Sequence, residues 1–145
     1  MTLSQSLILK KLELIGQYQE QLARFLKSSD ADILSLPEKY LSIERAFQLL
    51  VDAIIDINQH LIRELKLRVP DDLQGTFYPL GEKGILPFEF AQKLAPIAGV
   101  RNRLVHQYEE VDKKLFLKNL RDNFSHFEEY QNYIKSYWKE VNPGG

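Results

Sequence analysis

Arg101, Asn102, His106 and Tyr108 stand within one short run, Val100-Arg101-Asn102-Arg103-Leu104-Val105-His106-Gln107-Tyr108. An arginine carries a permanent charge on a planar fork that matches phosphate oxygens. A histidine takes up or releases a proton near neutral pH. The pair is a minimal set for phosphoryl chemistry, with one group holding an anion and the other moving a proton. Asn102 and His106 are four residues apart and share a helical face, where the amide is placed to orient the imidazole. Arg101 and His106 are five apart, about 140° around an ideal helix. They reach one phosphate only if the helix bends or a second protomer supplies partners. Spacing alone also fits a plainer account, since arginine and histidine are favoured at any helix C-terminus. Arg103 is either a second phosphate contact or a surface ion-pair partner. Taken alone, Tyr108 reads as a packing aromatic.

Other polar groups are fewer. Glu44, Gln48, Asp52, Asp56 and Arg63 form a polar seam. Asp52 and Asp56, at i and i+4, are expected to pair with arginines such as Arg101 or Arg103 rather than to hold a cation. His60 and His126 lack chemical neighbours and read as ordinary surface or interface histidines. Tyr130, Tyr133, Tyr137 and Trp138 cluster late in the chain, where core packing is the favoured reading. The sequence holds no Gly-rich phosphate loop and no His-Glu-x-x-His helix. It has no cysteine, which excludes disulfides and thiolate metal sites. No metal and no cofactor are expected.

The elements that must position these groups are helical. Ile8, Leu12, Ile15, Leu22 and Leu26 recur at helical steps and predict a first helix over residues 3–27. Ser28-Ser29-Asp30 supplies capping chemistry, and a turn is expected around residues 32–37. The longest helix is predicted from Pro37, suited to a first helical turn, to Lys66. It carries one apolar strip of Ile43, Phe47, Leu50, Ile54, Ile57 and Leu61 and a second of Val51, Ile55 and Ile62. Two strips imply two packing partners: the bundle core and, as a candidate, a second copy of the chain. Residues 67–87 hold three of the six prolines and three of the seven glycines, with one short helix expected over residues 78–83. The motif helix is predicted over residues 87–107, bent by Pro96 one turn before Arg101. A last helix is predicted over residues 112–139. Its strip is Leu117, Leu120, Phe124, Phe127, Ile134 and Trp138. Asn142-Pro143-Gly144-Gly145 should fray.

This pattern predicts an all-α, up-and-down bundle of about five helices, one domain over residues 1–140 with a flexible tail at 141–145. The 145 residues are 44% hydrophobic and 27% charged, enough for a core without staples. Nineteen basic against 20 acidic residues give a net charge of −1, so bulk charge makes no argument for nucleic acid. No run of about 18 apolar residues is present, so no membrane span is expected. The first twenty residues read as an amphipathic helix, not a signal peptide, and a cytoplasmic location is expected.

Arg101 to Tyr108, read as R-N-R-L-V-H-Q-Y, resembles the R-x4-6-H motif of the HEPN superfamily in the R-x4-H-x-Y form of HepT toxins. The resemblance extends upstream through the helix opening at Tyr40-Leu41 and running past Asp52 to His60. It continues through Pro70, Phe77, Leu80 and Gly84-Ile85-Leu86, and so covers most of residues 1–140. The proline-containing segment Gly75 to Pro79 departs from the pattern.

The resemblance implies a HEPN-like homodimer that cuts RNA, in some relatives tRNA, without a metal, at a cleft where two motifs meet. Arg101, Asn102 and His106 would be the catalytic residues. With RNA as substrate, Arg103 is a candidate contact; Lys114, Lys118 and Arg121, which share one face of the last helix, either follow an RNA backbone or, as the favoured reading, form a solvated basic face. It also implies a nucleotidyltransferase antitoxin, called MNT, that transfers AMP from ATP onto the motif tyrosine, here Tyr108. The alternative is a non-catalytic subunit that binds nucleotide or substrate within a nucleotidyltransferase complex.

Overall fold

The computed structural model describes residues 2–143, with side chains from residue 7 onward. Gly144 and Gly145 of the expected tail lie outside the described residues. Every regular element among the described residues is helical: α1 (Thr2–Phe25), α2 (Asp30–Ser35), α3 (Pro37–Glu64), α4 (Phe77–Lys83), α5 (Phe88–Leu94), α6 (Pro96–His106), α7 (Lys113–Asp122) and α8 (Ser125–Val141). Two 3-10 turns, Gln74–Thr76 and Tyr108–Glu110, precede α4 and α7. None of these helices is long and apolar enough to cross a membrane.

α3 is the central element. It begins on Pro37 and contains no glycine and no further proline. It packs against α1, α2, α4 and α6, while α1 also meets α8. All six residues of its first apolar strip are buried. Val51, Ile55 and Ile62 of the second strip are buried as well. The chain covers both strips itself, so the second is not a face left open for another copy. α3 ends in a Schellman cap. Lys66 takes the left-handed conformation at φ 53°, and Leu67 N–H donates to the Ile62 carbonyl at 2.9 Å.

The expected five helices divide at three places. The turn after Ser29 is the short α2, capped by Ser29 Oγ accepting from Asp32 N–H at 3.1 Å. The motif helix breaks at Ala95, because Pro96 has no N–H to continue the ladder. The final helix breaks at Asn123. The Asn123 backbone N–H and its side-chain amide both donate to the Asn119 carbonyl, at 3.0 and 2.9 Å, and close the end of α7.

Arg121 is neither a solvated basic residue nor free for RNA. Its fork donates to Asp30 Oδ1 (2.7 Å), the Leu26 carbonyl (2.8 Å) and the Ser28 carbonyl (2.7 Å). It thereby ties α7 to the junction of α1 and α2. Phe116 holds α7 to α3, edge-on to Phe47 at 5.2 Å and to Tyr40 at 6.3 Å.

A buried polar relay fixes the long connection before α4. Tyr130 Oη donates to Asn58 Oδ1 at 2.6 Å. Asn58 Nδ2 donates to Thr76 Oγ1 at 3.2 Å, and the Thr76 hydroxyl donates to the Leu73 carbonyl at 2.7 Å. Tyr130 is thus a core residue, as its packing reading expected, and burial keeps its phenol protonated far above the ordinary range. Tyr130→Phe strands Asn58 Oδ1 in the core and should lower stability by about 1–3 kcal/mol. Urea unfolding followed by circular dichroism measures it.

Candidate active site

The motif helix docks on α3 through one ion pair. Arg101 Nε donates to Asp52 Oδ1 at 2.7 Å, with both side chains partly buried. This is the pairing expected for Asp52. Asp56 instead pairs with Lys11 at 2.8 Å. Arg101 Nη1 donates to Asn102 Oδ1 at 3.2 Å. A guanidinium has five N–H groups. Asp52 takes the one on Nε and Asn102 takes one on Nη1, so three remain for a ligand. Asn102 does not orient His106 here; its amide oxygen is occupied by Arg101.

His106 is the last residue of α6 and exposed, and its side chain makes no hydrogen bond or ion pair within the described residues. The helix is continuous from Pro96 to His106. The bend lies before Arg101 and leaves the angle of about 140° between Arg101 and His106 in place. Arg103 lies about 200° around from Arg101. It lines a different region, an apolar cavity of about 520 Å³ walled by Phe47, Val100, Leu115, Phe116 and Phe127. Lys114 is exposed on α7. Lys118 is exposed and bridges to Asp122 at 2.7 Å. His126 stands edge-on to Phe90 at 5.9 Å. His60 is half-buried rather than on the surface, its Nε2 3.9 Å from Glu64 Oε1.

Tyr108 follows the α6 cap in the Tyr108–Glu110 turn. Gln107 N–H donates to the Arg103 carbonyl at 2.9 Å and ends the helix. Asp112 starts the next one, its side chain accepting from Leu115 N–H at 3.1 Å. Tyr108 is 39% exposed and sits beside Glu44 of α3. Glu44 and Asp52 are eight residues apart, about 12 Å along α3. Asp52 meets Arg101 and Glu44 meets Tyr108, so the motif runs antiparallel to this edge of α3.

Glu44 is only 6% exposed, and its Oε2 has no hydrogen-bond partner. The Tyr40 hydroxyl is likewise buried without one. Both phenols approach the carboxyl without reaching good hydrogen-bond geometry. Burial raises the pKa of Glu44, against the opposing pull of the Tyr40 and Tyr108 hydroxyls and of Lys113. Burial and then the Glu44 charge raise Tyr108. Burial and then Glu44 raise Tyr40 further. The sequence reading placed Glu44 in a polar seam and missed its burial. Its position between Ile43 and the buried pair Ala46-Phe47 was the available signal.

A family model described as ribonuclease HepT-like matches residues 8–134. The chain is 38% identical over 127 residues to a protein of Aphanizomenon flos-aquae (strain 2012/KM1/D3) named tRNA nuclease HepT, covering 88% of this chain and 86% of that one. It is 26% identical over 85 residues to the mRNA nuclease HepT of Shewanella oneidensis, covering 59% and 64%. Its fold matches the solved structure of a tri-AMPylated Shewanella oneidensis HEPN toxin in complex with MNT antitoxin. That match has a TM-score of 0.82 at 21% identity and covers 90% of this chain and 97% of that one. On the family match and the 38% identity, the chain belongs to the HepT-like ribonucleases.

Proposed function

We propose that this chain is the RNA-cleaving toxin of a toxin–antitoxin pair, acting as a homodimer without a metal. The observation that carries the reading is Arg101, anchored by Asp52 and Asn102 with three N–H groups to spare, five residues before a His106 whose side chain is unencumbered. Membership of a ribonuclease family makes an RNA phosphate the natural occupant of that fork. The relative with 38% identity is named a tRNA nuclease, so tRNA is the first substrate to assay.

RNA supplies its own nucleophile, the 2′-hydroxyl. The enzyme then needs to move two protons and to stabilise charge on phosphorus. Arg101 holds the scissile phosphate and the charge that develops on it. His106 takes the proton from the 2′-oxygen or returns one to the leaving 5′-oxygen, a role worth about 10²- to 10⁴-fold in rate. Asn102 acts through Arg101, keeping the fork oriented. Two copies would present two His106 side chains, one for each proton, and would offset the angular separation within α6. Arg103 and Lys114 remain candidates for further RNA contact; Lys118 would first have to leave Asp122.

Tyr108 is the proposed AMP acceptor, and an MNT-type nucleotidyltransferase is the proposed antitoxin. The solved relative is tri-AMPylated and bound to such a partner. In this chain Tyr108 is exposed two residues beyond His106. AMP there adds a bulky anion on the same edge of α3, about 12 Å from the anchor of Arg101, where it obstructs and repels RNA approaching the motif.

Arg101→Ala and His106→Ala should each abolish cleavage of tRNA by the purified chain, read on a denaturing gel; full activity in either removes it from the catalytic set. Cleavage should persist in excess EDTA, and its loss would replace this mechanism with a metal-dependent one. Tyr108→Phe should still cut RNA yet escape silencing by the nucleotidyltransferase and ATP. AMP found on that variant by mass spectrometry would move the acceptor elsewhere.

A further inference from the structure

Glu44 is the one nine-tenths-buried carboxyl among the described residues, and it has no ion-pair partner there. Its Oε2 lacks a hydrogen bond. A buried, unpaired carboxylate is costly, and the fold does not use this one to join helices, as it uses Asp52 and Asp30. Two phenols neighbour it. Tyr40 is 2% exposed, its ring edge-on to Phe116 at 6.3 Å and under Lys113 Nζ at 5.0 Å. Tyr108 is the phenol that solvent reaches. The carboxyl thus has one phenol buried with it and one that an outside reagent can meet.

We propose that Glu44 accepts the phenolic proton of Tyr108 as that oxygen is adenylylated, and so sets the reactivity of the acceptor. The inference rests on Tyr108 being the AMP acceptor. In the step, Tyr108 Oη forms a bond to the α-phosphorus of ATP held by the nucleotidyltransferase. The bond from that phosphorus to the β-phosphate oxygen breaks, pyrophosphate leaves, and the proton passes to Glu44. The carboxyl ends neutral, so no like charge faces the new phosphodiester. Burial strengthens Glu44 as a base, since its pKa stands above the ordinary carboxyl value. The phenol, raised by burial and by Glu44, does not lose its proton ahead of attack and needs an acceptor within reach. The other ionisable groups around the pair are Tyr40 on α3 and Asp112 and Lys113 at the start of α7.

The test is transfer of radiolabelled AMP from ATP to the 145-residue chain by an MNT-type nucleotidyltransferase that modifies the wild type. Glu44→Gln should slow the maximal rate about 10²- to 10⁴-fold, and Glu44→Asp should recover part of it. The wild-type rate should fall as pH drops through the raised carboxyl pKa, because the base acts only when ionised; that fall should be absent in Glu44→Gln. Unlabelled Tyr108→Phe beside Glu44→Gln labelled at the wild-type rate, with an unchanged pH profile, would overturn the role of Glu44 alone. Label on Tyr108→Phe would overturn the acceptor reading beneath it. A thermal melt checks that Glu44→Gln is folded. Should it not be, a wild-type rate that stays flat across the carboxyl range overturns the proposal by itself.

Discussion

The ion pair between Asp52 and Arg101 decides how the motif helix is turned. Once Arg101 faces α3 at 2.7 Å, the rotation of α6 about its axis is fixed. Arg103 must then face the apolar cavity, and His106 falls at the free end of the helix. Partial burial strengthens the pair relative to a surface bridge, and removing either partner leaves a charge short of solvent. Aspartate is also well suited to share its arginine with a phosphate. It occupies only the Nε edge and leaves most of the fork unspent.

α3 combines two demands that usually conflict. It is the most buried helix and must be apolar on most of its circumference. It must also present Asp52 and Glu44 to the motif. The two acids meet these demands differently. Asp52 is half-exposed and paired. Glu44 is buried beside the Tyr40 and Tyr108 phenols and forms no ion pair among the described residues. The first arrangement is what a structural joint needs. The second stores a group whose proton affinity is shifted by its surroundings, the kind of environment found where protons are exchanged.

How much of this was legible in the sequence varies with the range of the contacts. The extent of α3 came within two residues, because Ile43 to Leu61 keep one period without interruption. Pro96 marked where the motif helix is interrupted, but its sequence promised a bend within one helix, and the chain instead breaks into α5 and α6. The break at Asn123 was hidden, since Leu117, Leu120, Phe124 and Phe127 stay in phase across it. α2 was hidden because six residues with one buried side chain, Ile33, leave no period to detect. The second strip of α3 suggested an external partner, but its cover comes from within the chain. Arg121 showed the widest gap between sequence and structure. Its acceptors lie more than 90 residues earlier, and nothing local distinguishes it from the exposed lysines nearby. At the motif, the residue types pointed to the chemistry. The partner of Asn102 depended on rotamers that spacing does not specify.

α6 has no kink between Arg101 and His106. On the proposed mechanism, two sides of one rigid rod would serve a single phosphodiester best when another rod lent its opposite side. A cutting centre assembled in that way exists in proportion to the square of the free subunit concentration when subunits are scarce. Such an enzyme stays quiet at basal expression and gains activity steeply as subunits accumulate. The straightness of eleven residues would then act as a dosage threshold, set by helix geometry and needing no separate regulator.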